Sequence, residues 1–172
     1  MNIPDKVANF ACYVDGSIEL SGMVDLQLPS IEYMTETLTG AGIAGEIESI
    51  TPGHTSPMNF SINFRSLADR NLTLAKPKNY AFEVKGALQE TDPKTKAIII
   101  RKLTVEVRGF PKKVDLGKLG VSKTSDTSGE FTCEYIKTQI DGKVYHEIDK
   151  HNMVCMIDGV DYLAEMRAAL GK

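Results

Sequence analysis

"MNFSINFR", Met58 to Arg65, alternates without error. Met58, Phe60, Ile62 and Phe64 fall on one side, and Asn59, Ser61, Asn63 and Arg65 on the other. Successive strand residues point to opposite faces, so this period of two describes a half-buried strand with its apolar face inward. The pattern recurs in "LTVEVR", with Leu103, Val105 and Val107 against Thr104, Glu106 and Arg108. It recurs again in "NYAFEVKG", which puts Tyr80, Phe82 and Val84 on one face. "TDPKTK", Thr91 to Lys96, joins these last two strands as a polar hairpin loop.

Two Asp-Gly pairs mark further hairpins. Asp15-Gly16 links "FACYV" to "SIEL", and Asp141-Gly142 links "FTCEYIKTQI" to "KVYHEI". Asp-Gly favours the positive φ angles that a two-residue hairpin needs. Within "FTCEYIKTQI" the apolar phase shifts: Phe131, Cys133 and Tyr135 share a face, then Ile136 and Ile140 take the other. That predicts a bulge near Tyr135, or a strand buried differently at its two ends. One helix is predicted in "DGVDYLAEMRAALGK", with Asp161 as N-cap, an apolar stripe of Leu163, Met166 and Leu170, and Gly171 as terminator. A shorter helical turn fits Ser66 to Leu74. Seven or more strands in meander-like order give a mainly β fold: an antiparallel β-sandwich or barrel with one packed C-terminal helix. The length, 172 residues, suits a single domain over 1–172.

"GAGIAGEI", Gly40 to Ile47, spells G-x-G-x-x-G through Gly40, Gly42 and Gly45. A dinucleotide site needs a buried strand before these glycines and a helix after them. Upstream, "SIEYMTETLT" is too polar for a buried parallel strand; downstream, Pro52 and Gly53 stop any helix. Glu46 and Glu48 would also oppose a phosphate. The glycines instead predict a flexible or tightly bent connection, part of an extended arm or loop over about 30–57.

Charge is unevenly placed. From Val7 to Phe64 there is no Lys or Arg, while Asp15, Glu19, Asp25, Glu32, Glu36, Glu46 and Glu48 all lie there. Those seven of the 23 acids leave sixteen elsewhere, against all 20 basic residues. One segment is therefore acidic and the remainder mildly basic, either as one acidic surface or as a solvated face. No apolar run reaches the ~18 residues of a membrane helix, and "MNIPDKVANF" lacks the apolar centre of a signal peptide. No membrane anchor and synthesis in a cytoplasm are expected. Cys12, Cys133 and Cys155 are three at unrelated spacings, which favours small buried hydrophobes over a disulfide framework.

Nothing in the chain spells an active site. His146, His151 and Cys155 fit no closed zinc spacing, and the histidines, His54 included, read as turn or surface residues. A Cys133–His146 pair across the second hairpin would need a thiolate on an apolar face, where it is disfavoured. "FPKKVDLGK" has Lys112, Lys113 and Lys118 without interleaved aromatics beyond Phe110, which reads as a solvated loop. No catalytic residue, metal or cofactor is expected, and the chain reads as a non-enzyme.

Three stretches carry a family resemblance. "MNIPDKVANFACYVDGSIELSGMVDLQLPSIE" is similar to the opening of the major tail tube proteins of contractile-tailed bacteriophages. "MTETLTGAGIAGEIES" resembles the glycine-rich segment that follows in that family. "GEFTCEYIKTQIDGKVYHEIDKHNMVCMIDGVDYLAEMRAALG" resembles its closing section, through "EIDK", "GVDYL" and R-x-x-L-G. The order is the same over nearly the whole length, with Lys94 to Val121 the least distinctive part.

The resemblance implies a tail-tube-like fold and a structural, self-assembling role. Six copies close into a ring, and rings stack into a hollow tube. The implied partners are the chain itself, a tail sheath protein, a baseplate or tube initiator, and tape-measure and tail-terminator proteins. DNA would pass through without specific binding. The location is a virion tail or a phage-like particle, such as a headless bacteriocin. Within that frame Gly40, Gly42, Gly45, Glu46 and Glu48 are candidates for a ring-stacking loop. Glu19 and Asp25, taken together on a second strand, are candidates to face the lumen. Leu163, Met166 and Leu170 should pack the C-terminal helix on the sheet or a neighbour. A monomeric β-barrel that binds a small ligand is the second reading.

Overall fold

A computed structural model describes residues 2–16 and 18–172. In chain order the strands are β1 (Ile3–Val14), β2 (Ile18–Glu19), β3 (Met23–Gln27), β4 (Tyr33–Leu38), β5 (Ile47–Thr55) and β6 (Met58–Phe64). A short helix α1 (Asp69–Thr73) leads to β7 (Tyr80–Thr91), β8 (Ile98–Asp115), β9 (Thr127–Ile140), β10 (Lys143–Asp149), β11 (Val154–Ile157) and β12 (Val160–Asp161), and the chain closes with α2 (Ala164–Ala169). Ten strands form one antiparallel sheet in the order β12-β11-β10-β9-β8-β7-β1-β2, with β6 also paired to β9 and β3 to β6. β4 and β5 pair only with each other. The fold is mainly antiparallel β with a C-terminal helix.

The long strand β9 organises the molecule. Thr127–Cys133 pairs with β6, Tyr135–Ile140 pairs with β10, and β8 runs along the other edge. Between them the register with β8 slips: Arg108 opposes Tyr135 and Gly109 opposes Cys133, so Glu134 is the extra residue. Both physical readings of the phase shift hold at once, a bulge and a change of partner. Gly109 is needed opposite it, because a Cβ there would overlap the Thr132 carbonyl.

β6 and β7 are separated in the sheet by β9 and β8, yet the Phe60 and Phe82 rings lie 5.0 Å apart. The sheet therefore folds over on itself. Phe131 fills the middle, 4.7 Å from Phe82 and 6.2 Å from Phe60, and Tyr80 closes the cluster. Met58, Phe60, Ile62 and Phe64 are all buried, as the alternation of "MNFSINFR" predicts. The interior is packed with side chains, not hollow. Cys12, Cys133 and Cys155 are buried free thiols, and burial pushes Cys12 and Cys133 up to about 12.

Several expectations need correcting. "FPKKVD" is not a loop: it is the end of β8, paired with β9. Pro111 is tolerated because pairing with β7 stops at Gly109, leaving β8 one neighbour there. The hairpin at Asp15-Gly16, by contrast, stands as expected: β1 and β2 pair across it, with Asp15 at φ 49° and Gly16 at φ 95°; Ser17 lies outside the described residues. Asp161 is not the helix N-cap. It belongs to β12, and Leu163 takes the cap position of a helix of only 6 residues. Its carboxylate instead accepts from the Leu163 and Cys155 amides and pairs with Arg167 at 2.7 Å. That bridge fastens α2 to the strand before it, a use of the carboxylate between two elements instead of as a helix cap.

Candidate functional site

Two parts of the molecule stand away from the core. One is the β4–β5 arm. Leu38 opposes Ile47, Thr37 opposes Glu48, Glu36 opposes Ser49 and Thr35 opposes Ile50. Even positions of β4 share a face, so Met34, Glu36 and Leu38 lie with Ile47 and Ser49. Met34, Leu38, Ile47 and Ile50 are all exposed, Ile47 by 51%. The glycine-rich stretch is the tip of this hairpin. Gly42 and Gly45 have φ of 90° and 112°, which explains why glycine stands there, while Gly40 has no such angle. Glu46 and Glu48 are exposed, and Glu48 accepts a hydrogen bond from the Thr35 hydroxyl at 2.8 Å. No helix follows the glycines, which is the physical reason they form no phosphate cradle.

The root of the arm is fixed. Gly53 has φ 75° and packs flat on Leu163; a Cβ there would sit 2.5 Å from Leu163 Cγ. Lys150 donates from Nζ to the carbonyls of Ser56 and Thr55 at 2.8 and 3.2 Å. Partial burial lowers its pKa. His54 Nε2 lies 3.3 Å from Met166 Sδ. Leu163 is buried and Met166 half-buried, whereas Leu170 is 60% exposed in the single chain. Met166 and Leu163 thus meet the arm root, and Leu170 does not join them. Sequence reasoning missed Gly53 and Lys150 as members of this contact. Only the separation of about a hundred residues between Lys150 and Ser56 hid it, since neither residue carries a local signal.

The other projecting part is a flange. The tip of the β7–β8 hairpin and the first half of β1 extend beyond the aromatic core as three paired strands. Ile3, Val7, Ile98 and Ile100 are exposed there, Ile98 by 65%. The flange is braced on one side by Arg101, which pairs with Glu90 at 3.0 Å and with Asp141 at 2.7 Å. The Asp141 carboxylate also accepts from the Lys102 amide, so the β9–β10 turn is tied to β8. Sequence reasoning missed this part; the apolar run "AIII", Ala97 to Ile100, is the local feature that marks it.

Glu19 and Asp25 are not on one strand. Gly22, at φ 76°, turns the chain between them, so Glu19 pairs with β1 and Asp25 with β6. Asp25 is exposed and accepts from Asn63 Nδ2 at 2.5 Å. Among the described residues no three His, Cys, Asp or Glu side chains gather as a metal would require. His146 opposes Thr138 and Ile157, not Cys133, and His151 lies 3.0 Å from Glu134 at the surface.

With this geometry in hand, comparison with known proteins is specific. The sequence pattern of the family described as "Phage tail tube protein FII" matches residues 4–171. The tail tube protein of Escherichia phage P2 is 33% identical over 67 residues, covering 39% of this chain and 39% of that protein. The likeness thus spans less than half of that relative's length. Among solved structures, the sheath/tube terminator of an extracellular contractile injection system, PVC, in its extended state aligns with a TM-score of 0.52 at 12% identity, over 79% of this chain and 96% of that one. The PVC sheath-tube complex aligns with a TM-score of 0.52 at 13% identity, over 79% and 91%. At such identities these two structures speak to the fold alone. The family match takes in the arm, the flange and the core sheet together: the chain belongs to the phage tail tube protein FII family.

Proposed function

We propose that this chain builds a contractile-tail tube: six copies close into a ring, and rings stack into a hollow conduit. The observation that carries this reading is the pairing of open sheet edges with an arm that exposes its apolar face. Strands β12, β2 and β3 end the sheet, and an unpaired edge is an aggregation hazard unless a neighbour pairs with it. Ring closure would satisfy those edges. A two-stranded hairpin is at best marginal alone, so the β4–β5 arm gains its stability from an adjacent ring. In this proposal Gly40, Gly42, Gly45, Glu46 and Glu48 form the stacking loop of a single domain over 1–172.

The lumen is assigned to the outward face of β3 and β6. Asp25, Gln27, Asn59, Ser61 and Asn63 line it with small polar groups and one net negative charge, a surface on which a polyanion would not stick. Glu19, at the β1–β2 edge, is the second lumen candidate. Sheath, tape-measure, initiator and terminator proteins are the proposed partners, and a virion tail or phage-like particle is the proposed setting. The second reading, a monomeric ligand-binding barrel, is disfavoured by the packed Phe60–Phe82–Phe131 interior. Negative-stain microscopy of the purified chain tests the choice. Hollow tubes or six-fold rings are expected; monomers that persist at high concentration would overturn the proposal.

A further inference from the structure

We infer that the outer face of the flange is the docking surface for the β4–β5 arm of a second copy of this chain. The inference rests on the tube reading and names the contact that would hold it together. Cross-strand register defines the face. Ile3, Thr91 and Ile98 form one row; Lys6, Gln89 and Ile100 the next; Asn9, Ala87 and Lys102 the third. Two bulges in β1 bring residues three apart onto one side. The face therefore carries three isoleucines flanked by Lys6 and Lys102, with Lys94 and Lys96 in the turn at its tip. Asp5 is engaged there by Thr91 and Gln89 side chains at 2.5 and 3.2 Å.

The arm offers the complement. On one face its Met34, Leu38 and Ile47 surround Glu36, and no basic residue occurs from Val7 to Phe64. Apolar meets apolar and acid meets base. Within one chain the two faces do not cover each other: Ile100 is 58% exposed and Met34 53%. Each copy thus gives one arm and takes one, which is a head-to-tail contact between unlike patches. Such a contact propagates without self-closure in a dimer, as stacking demands. The isoleucines and Met34, Leu38 and Ile47 would provide the dry centre, while the charges would set register and speed of association.

The test is a charge swap in the full chain, read by sedimentation velocity and negative-stain microscopy. Glu36→Lys, or Lys6→Glu with Lys102→Glu, should each lower the yield of long tubes about tenfold or more at low salt, with the melting temperature unchanged. The chain carrying all three changes should recover tubes by itself. A second measurement needs no charge. Leu38→Cys and Ile98→Cys in one chain should give a ladder of disulfide-linked oligomers, because the three native cysteines are buried. If wild-type protein forms no tubes or rings, the tube reading falls and this contact with it. If wild-type tubes form but the one-sided variants assemble normally, or no ladder appears, the docking surface alone is overturned.

Discussion

The core sheet and the arm are both antiparallel β structure with β-branched and aromatic residues, yet they end in opposite conditions. In β6 the apolar face is wholly buried, and Phe60 meets Phe82 and Phe131 across the fold. In β4 and β5, Met34, Leu38, Ile47 and Ile50 stay exposed, and the hairpin is held to the body at its root. The difference lies in where the covering partner resides. For β6 it is another part of the same chain. For the arm, the proposal places it on another copy. An apolar strand face without a partner in its own chain reads as an interface.

The largest effect should come from the core. Phe131→Ala removes the ring at the centre of the aromatic cluster and is expected to cost about 3–5 kcal/mol in urea unfolding. The matching change in the arm, Leu38→Ala with Ile47→Ala, should shift unfolding of the free subunit by less than about 0.5 kcal/mol while abolishing tubes. Equal losses in the two variants would erase the contrast.

Next in size is the joint between the regions. Leu163→Ala empties the contact with Gly53 and should cost about 2–4 kcal/mol. It should also raise hydrogen exchange in β5, which a purely local effect on α2 would leave unchanged. An unaltered melting temperature would show that this leucine is no part of the core.

Asp161→Asn should cost less, about 1–3 kcal/mol at pH 7, by loosening Arg167 and the amides of Leu163 and Cys155. The Arg167 guanidinium holds the Asp161 carboxyl below its ordinary value of 3.8. A depressed carboxylate contributes stability that is present above the unfolded value and lost as pH falls through the folded one. The gap between wild type and variant should therefore close below about pH 3.8 in thermal melts; a gap constant down to pH 2 would rule out this bridge as its source.

The smallest effect on the free subunit is expected at the tip. Gly42→Val and Gly45→Val place β-branched residues at positive φ in an exposed turn that no tertiary contact holds. Subunit stability should change little, yet stacking should fail. Normal tubes from the double variant would show that the loop tolerates other conformations. Hydrogen exchange sharpens the same comparison: amides of β4 should exchange at least about a thousandfold faster than those of β7 in the free subunit. Similar protection would mean that the arm is already stable alone.

The sequence by itself determined what depends on neighbours along the chain. Alternation located β6, β7 and the middle of β8; Asp141-Gly142 located a hairpin that has both residues at positive φ; the phase change in "FTCEYIKTQI" located the bulge at Glu134. These signals are legible because side-chain period and turn conformation act over a few residues. The family, too, was legible, in the order of three stretches. Only the tertiary structure decided the rest. It divided β9 between β6 and β10, put Glu19 and Asp25 on different strands, and let Pro111 continue a strand whose outer neighbour had ended. It turned Asp161 from a cap into a clamp, seated Gly53 on Leu163, and left Ile98 and Ile47 uncovered while Phe60 was sealed. Most of these outcomes depend on residues tens to a hundred positions apart, and the Asp161 clamp on how a strand and a helix fold back on each other. Burial is a property of the assembled surface, and a local pattern states that a face must be covered without stating by what.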